Sequence, residues 1–65
     1  METLQISLAA ARVNANLTQA EVSKALQVSK STVINWEKGK VTPSLIALTA
    51  LSNLYGIPID NIILP

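Results

Sequence analysis

Two helix starts eleven residues apart, at Thr18 and Ser29, restrict this chain more than any other feature. Thr18-Gln19-Ala20-Glu21 is a capping box. The Thr18 hydroxyl accepts from the Glu21 amide, and the Glu21 carboxylate reaches back to the Thr18 amide. Leu17 and Val22 flank the cap as a hydrophobic staple. Ser29 is a second N-cap. One helix therefore has to fit between Gln19 and Leu26, and another begins at Lys30. Gly39 closes the second at Glu37 or Lys38, because glycine adopts positive φ without a Cβ clash. Only Gln27-Val28-Ser29 is left to connect them, with Val28 plugging the angle.

The remainder reads as further helices, giving an all-α chain of five. The first spans roughly 4–14, with Leu4, Leu8, Ala11 and Ala15 on one face and Asn16 at its end. The fourth opens near Pro43, capped by Thr42 or Ser44, and Gly56 stops it after Tyr55. Pro58 opens a short fifth helix over 59–63. No composition shift divides the chain, so residues 1–65 are expected to form one domain with the helix pair at 18–39. A domain of this size buries only about 60% of its unfolded surface.

There is no cysteine and no histidine, so neither a disulfide nor a thiolate or imidazole metal site can hold it together. The carboxylates Glu2, Glu21, Glu37 and Asp60 are too scattered for a metal site or a catalytic dyad. Neither a metal nor a cofactor is expected, and an enzyme is disfavoured, because acid–base work would fall to Asp, Glu, Lys and Tyr alone. There is no membrane-length apolar run and no signal peptide pattern. The expected location is the cytoplasm.

Two helices joined by a three-residue turn, the second only about eight residues long, form a helix-turn-helix arrangement. At 100° per residue the second has two faces. Val33, Trp36 and Glu37 lie on one, and Ser31, Ile34, Asn35 and Lys38 cluster on the other. Such a helix, held by its apolar face, projects Lys30, Ser31 and Asn35 from its outer N-terminal half, the geometry of a helix that enters a major groove. Ile34 is either a partly exposed aliphatic or an apolar contact to a thymine methyl, and Trp36 is a core residue. Net charge is only +1, but Lys24, Lys30, Lys38 and Lys40 fall within one stretch that holds a single acid, Glu37. A local basic surface is the electrostatic footprint of a DNA binder.

The stretch Thr18 to Lys40 resembles the phage repressor/Cro-type (XRE) helix-turn-helix family. The continuations Thr42-Pro43-Ser44-Leu45 and Leu54-Tyr55-Gly56-Ile57-Pro58-Ile59-Asp60-Asn61-Ile62 resemble its fourth-helix start and its ending. The resemblance implies a lambda-repressor-like five-helix fold and sequence-specific binding of double-stranded operator DNA by a transcriptional regulator, most often a repressor. It implies base-reading roles for Lys30, Ser31 and Asn35, with Thr32 close by. It gives the DNA backbone to Thr18, Gln19, Lys38, Lys40 and Thr42, with Gln19 also buttressing the recognition helix, and it implies a structural pair between Arg12 and Glu37. Arg12 as a phosphate contact is the other reading; the pair is preferred because an unpaired Glu37 would be an acid beside DNA. Two departures concern the turn. Gln27 stands where the family usually has glycine, at a cost of roughly 1–2 kcal/mol if its φ is positive. Ser23 replaces an alanine, and its hydroxyl can bond back to the preceding turn.

The fourth helix is apolar all round. Leu45, Leu48, Leu51 and Tyr55, with Ser52 in the same arc, form the expected core stripe, while Ile46, Ala50 and Leu54 recur on the opposite side. Such helices are normally covered on both sides. A homodimer through Ile46, Ala50, Leu54, Ile59 and Ile63 is expected; the other reading is that further C-terminal residues cover this surface. The alternative function is a helical protein-interaction module without specific DNA readout.

Overall fold

The structure, a computed structural model, describes residues 4–65; Met1–Thr3, and with them Glu2, lie outside it. Its elements in order are β1 (Ile6–Ser7), α1 (Leu8–Asn14), α2 (Gln19–Leu26), α3 (Lys30–Lys38), α4 (Leu45–Tyr55), a 3-10 turn (Ile59–Asn61) and β2 (Ile62–Ile63). The chain is thus mainly helical, with four α-helices among the described residues.

Each α-helix starts behind a hydroxyl side chain. Ser7, Thr18, Ser29 and Ser44 accept from the amides of Ala10, Glu21, Thr32 and Ala47, each at 3.1 Å. At Thr18 the box is reciprocal, its own amide donating to Glu21 Oε1 at 2.9 Å. These caps satisfy amides that the helix itself cannot. Hydrogen bonding by Thr18, its backbone amide first and its side chain second, holds the exposed Glu21 carboxyl below its ordinary range.

Three expectations need correction. The first helix begins at Leu8, not near Leu4, because Ser7 caps it and Ile6-Ser7 pairs in parallel with Ile62-Ile63. Leu4 is accordingly outside the helix and largely exposed. The expected fifth helix is a single 3-10 turn, after which the backbone extends into β2. In α4, Ser44 is the cap, and buried Pro43 precedes the helix rather than opening its first turn.

The core is Leu8 and Ala11 of α1, Val22 of α2, Val33 and Trp36 of α3, and Leu51 and Tyr55 of α4. One or two residues per helix suffice because the helices are short. Leu48 is only partly buried, and Leu45 does not belong to this set at all, being 73% exposed. It is the first helical residue, and helical side chains lean towards the N-terminus, which carries it past the elements that cover the rest of the stripe.

The α2–α3 turn depends on Gln27, which takes the left-handed conformation at φ 58°. Its amide donates to Lys24 O, and the Val28 amide donates to Ser23 O at 2.9 Å. Ser23 is buried, with Oγ donating to Ala20 O at 2.8 Å, so the hydroxyl is satisfied inside its own helix. The C-terminal segment returns to the motif: a Cβ on Gly39 would lie 3.0 Å from the Pro65 ring.

Candidate nucleic-acid interface

The third helix is held on one side by packing and by a charged clasp. Val33 and Trp36 are buried, and Glu37 is fixed by side chains from two other helices. Arg12 Nε donates to Glu37 Oε2 at 2.7 Å, and Gln19 Nε2 donates to Glu37 Oε1 at 3.0 Å. Arg12 Nη1 also donates to Leu17 O at 2.9 Å, which ties the α1–α2 connection to the same clasp. The Arg12 and Glu37 side chains are 16% and 8% exposed, so the pair is mostly out of water. The hydrogen bond that Arg12 donates to Glu37 is the main cause of its raised pKa. Tyr55 packs behind the clasp; burial, followed by the Glu37 charge, pushes its hydroxyl up to about 12.

Among the described residues, the opposite side of α3 has no such partners. Lys30 and Ser31 are exposed, and Ile34 and Asn35 are half-buried. Thr32 sits closer to the cap, its Oγ1 2.9 Å from Ser29 Oγ, so part of its hydrogen-bonding capacity is already used. The Asn35 carbonyl accepts from the Lys40 and Val41 amides at 3.0 and 3.3 Å, which folds the loop after Gly39 back onto α3. That fold leaves Lys38, Lys40 and Thr42 exposed together at the C-terminal end of the helix.

Thr18 is exposed at the start of α2, with its hydroxyl engaged in the cap. Gln19 follows it and is half-buried. One Nε2 hydrogen of Gln19 goes to Glu37; an amide nitrogen carries two. The second is available to an acceptor such as a phosphate oxygen. The resemblance implies that Gln19 buttresses α3, but neither its acceptor, Glu37, nor the Asn35 carbonyl under the loop can be read from the sequence. Neither leaves a local signature, since both depend on how elements cross.

The residues expected at a dimer contact separate into two places. Ile46, Ala50 and Leu54 lie along one groove, whereas Ile59 is half-buried in the 3-10 turn and Ile63 is exposed in β2. Among the described residues no cluster of three His, Cys, Asp or Glu can hold a metal ion, and no helix is long and apolar enough to cross a membrane.

The geometry of α2 and α3 is matched by homology over nearly the whole chain. Residues 8–62 match the helix-turn-helix family. The chain belongs to the phage repressor/Cro-type helix-turn-helix family of DNA-binding transcriptional regulators. It is 43% identical over 47 residues to an uncharacterised HTH-type transcriptional regulator of Methanocaldococcus jannaschii, covering 72% of this chain and 71% of that protein. It is 36% identical over 52 residues to the cryptic phage CTXphi transcriptional repressor RstR of Vibrio cholerae, covering 80% and 47%. It is 33% identical over 52 residues to the HTH-type transcriptional activator BcrR of Enterococcus faecalis, covering 80% and 26%. The chain therefore spans about half of the repressor and about a quarter of the activator. No solved structure was found to match it. The matches favour DNA-binding regulation over a protein-interaction module, and the family is not one of enzymes.

Proposed function

We propose that this domain reads a specific operator by laying α3 in the major groove of double-stranded DNA, with Lys30, Ser31 and Asn35 at base edges and Thr32 beside them. The carrying observation is the two-sidedness of α3. One face is locked by Val33, Trp36 and the Arg12–Glu37–Gln19 clasp, and the other presents Lys30, Ser31 and Asn35, whose side chains have no hydrogen-bond partner among the described residues. A helix that must hold base contacts has to be fixed from behind, or its side chains cannot keep register. Thr18, Gln19, Lys38, Lys40 and Thr42 contact the backbone on either side, where phosphate contacts position the protein and release counterions.

The domain acts in the cytoplasm as a repressor, in the manner suggested by the phage relative, and as a homodimer on a palindromic site. The apolar outer face of α4 supports the dimer. Selection from a random duplex pool tests the whole reading. It should return a defined half-site repeated with two-fold symmetry at about 34–36 Å spacing. Recovery of no preferred sequence, with binding that still falls steeply with salt, would leave only nonspecific binding and defeat the base assignment.

A further inference from the structure

The loop that follows α3 is lightly held from within. Gly39 turns the chain out of the helix at φ 80°, and the Lys40 and Val41 amides both donate to one carbonyl, that of Asn35. Lys40, Val41 and Thr42 are all exposed. A loop with one internal anchor can pivot about it, and its cation then has no fixed place. A second restraint comes from the segment Ile62–Pro65. Ile62 and Ile63 pair in parallel with Ile6 and Ser7, and Ser7 caps α1. Ile62 and Leu64 pack against the core, on either side of exposed Ile63. The segment is thus tethered up to the residue before Pro65. The Pro65 ring then lands on Gly39: a Cβ built there would lie 3.0 Å from both ring atoms Cβ and Cγ. The contact is with the glycine backbone itself, at the point where α3 ends and the loop begins.

We infer that Pro65 is a positioning residue for DNA binding: its ring, delivered by the β1–β2 pair, braces Gly39 and fixes where the loop presents Lys40. This rests on the phosphate contact proposed above for Lys40 and names what holds it in place. The loop is gripped from two sides, by the Asn35 carbonyl and by the ring. Proline suits the second grip. Its ring fixes φ and has no rotamers to freeze, so the contact costs little conformational entropy. Gly39 has two tasks. It supplies the positive φ that ends α3, and it lacks the side chain that would push the ring away.

The brace and the charged clasp share one support. β2 pairs with β1 directly ahead of α1, and α1 supplies Arg12 to Glu37. The recognition helix is therefore referred to α1 twice, through its last turn by the clasp and through its C-cap by the ring.

Pro65→Gly removes the ring at an exposed position, outside the core and away from the base-reading side chains. Its melting temperature should stay within about 3 °C of the wild type. Amide exchange at Lys40 and Val41 should speed up at least about fivefold, while the Val28 amide in the α2–α3 turn is unchanged. Affinity for selected and random duplex should fall together about three- to tenfold, and the salt slope should drop by about one. In a Lys40→Ala background the same change should add less than about twofold, because the brace acts through Lys40. Unchanged exchange at Lys40 and Val41 would overturn the inference, as would faster exchange spread through α2 and α3. Local loosening that leaves affinity and slope intact, or losses that add in full to those of Lys40→Ala, would overturn it too. A wild-type chain without salt-dependent duplex binding would instead count against the operator reading, and the exchange rates would still decide whether the ring braces the loop.

Discussion

Helices α3 and α4 are built alike and finished differently. Each buries one face in the same core, α3 through Val33 and Trp36, α4 through Leu51 and Tyr55. Among the described residues, each leaves much of its other face uncovered. On α3 that face carries Lys30, Ser31 and Asn35; on α4 it carries Ile46 and Ala50. The inner faces explain the fold and say nothing about partners. The chemistry of the outer faces decides what each helix meets: a polar face suits base edges and phosphate, an uncharged aliphatic one suits another protein surface. The α3 face is also braced by a charged clasp, and α4 has none. A weakly specific apolar contact tolerates small shifts, whereas base-edge hydrogen bonds do not.

The largest expected effect lies on the inner side of α4. Leu51 is 1% exposed, and Leu51→Ala should cost about 3 kcal/mol of folding stability, towards the lower end of the range for buried leucines. Ile46→Ala on the outer side should stay within about 0.5 kcal/mol in dilute protein. Similar losses at both sites in chemical denaturation would erase the distinction between the faces. Next comes the clasp. Glu37→Ala strands Arg12 and frees Gln19, and it should cost about 2–3 kcal/mol, between the limits for exposed and buried pairs. A double-mutant cycle with Arg12→Ala should return a coupling above about 1 kcal/mol. No coupling would mean that the clasp does not hold α3.

Smaller and of opposite sign is Gln27→Gly. The left-handed backbone costs glutamine about 1–2 kcal/mol. Glycine relieves that strain but loses more chain entropy on folding, so the net gain should be about 0.5–1 kcal/mol. A lower melting temperature for Gln27→Gly would contradict the strain. The last effect is nil at neutral pH and appears only at high pH. Tyr55 is the single tyrosine, and in the folded chain it should ionise near 12 rather than 10 in an absorbance titration. The unfolded state loses this proton first. The stability that Tyr55 contributes is therefore intact below pH 10 and lost as pH rises towards 12. An ordinary midpoint near 10 would place the hydroxyl in solvent.

The helix-turn-helix could be read from sequence because its boundaries are set locally. Thr18, Glu21, Ser29 and Gly39 each act within one turn of chain, so the ends of α2 and α3 follow from side-chain chemistry alone. The chain ends could not be read that way. Ile62 and Ile63 look like the tail of an apolar helix, and their extended conformation depends on Ile6 and Ser7 at the other end of the chain. Strands of two residues have no periodicity to detect. The apolar excess of α4 was legible, but its division was not. Leu45 counted towards the core stripe by angle, yet it lies at the helix start, where no other element reaches it. Among site residues, the exposure of Lys30 and Ser31 followed from the pattern of α3, whereas the bracing of Glu37 by Gln19 required the crossing of α2 and α3.

On the proposed function, α3 reads bases while the loop behind it grips phosphate. Binding of Asn35→Ala and Lys40→Ala to the selected site and to random duplex, each across a salt series, tests it directly. Asn35→Ala should lose about 1–3 kcal/mol on the selected site and little on random DNA, with an unchanged salt slope. Lys40→Ala should weaken both duplexes alike and reduce the slope by about one. Equal losses on both duplexes for Asn35→Ala, or a selected-site preference that survives intact without it, would contradict base readout by this residue.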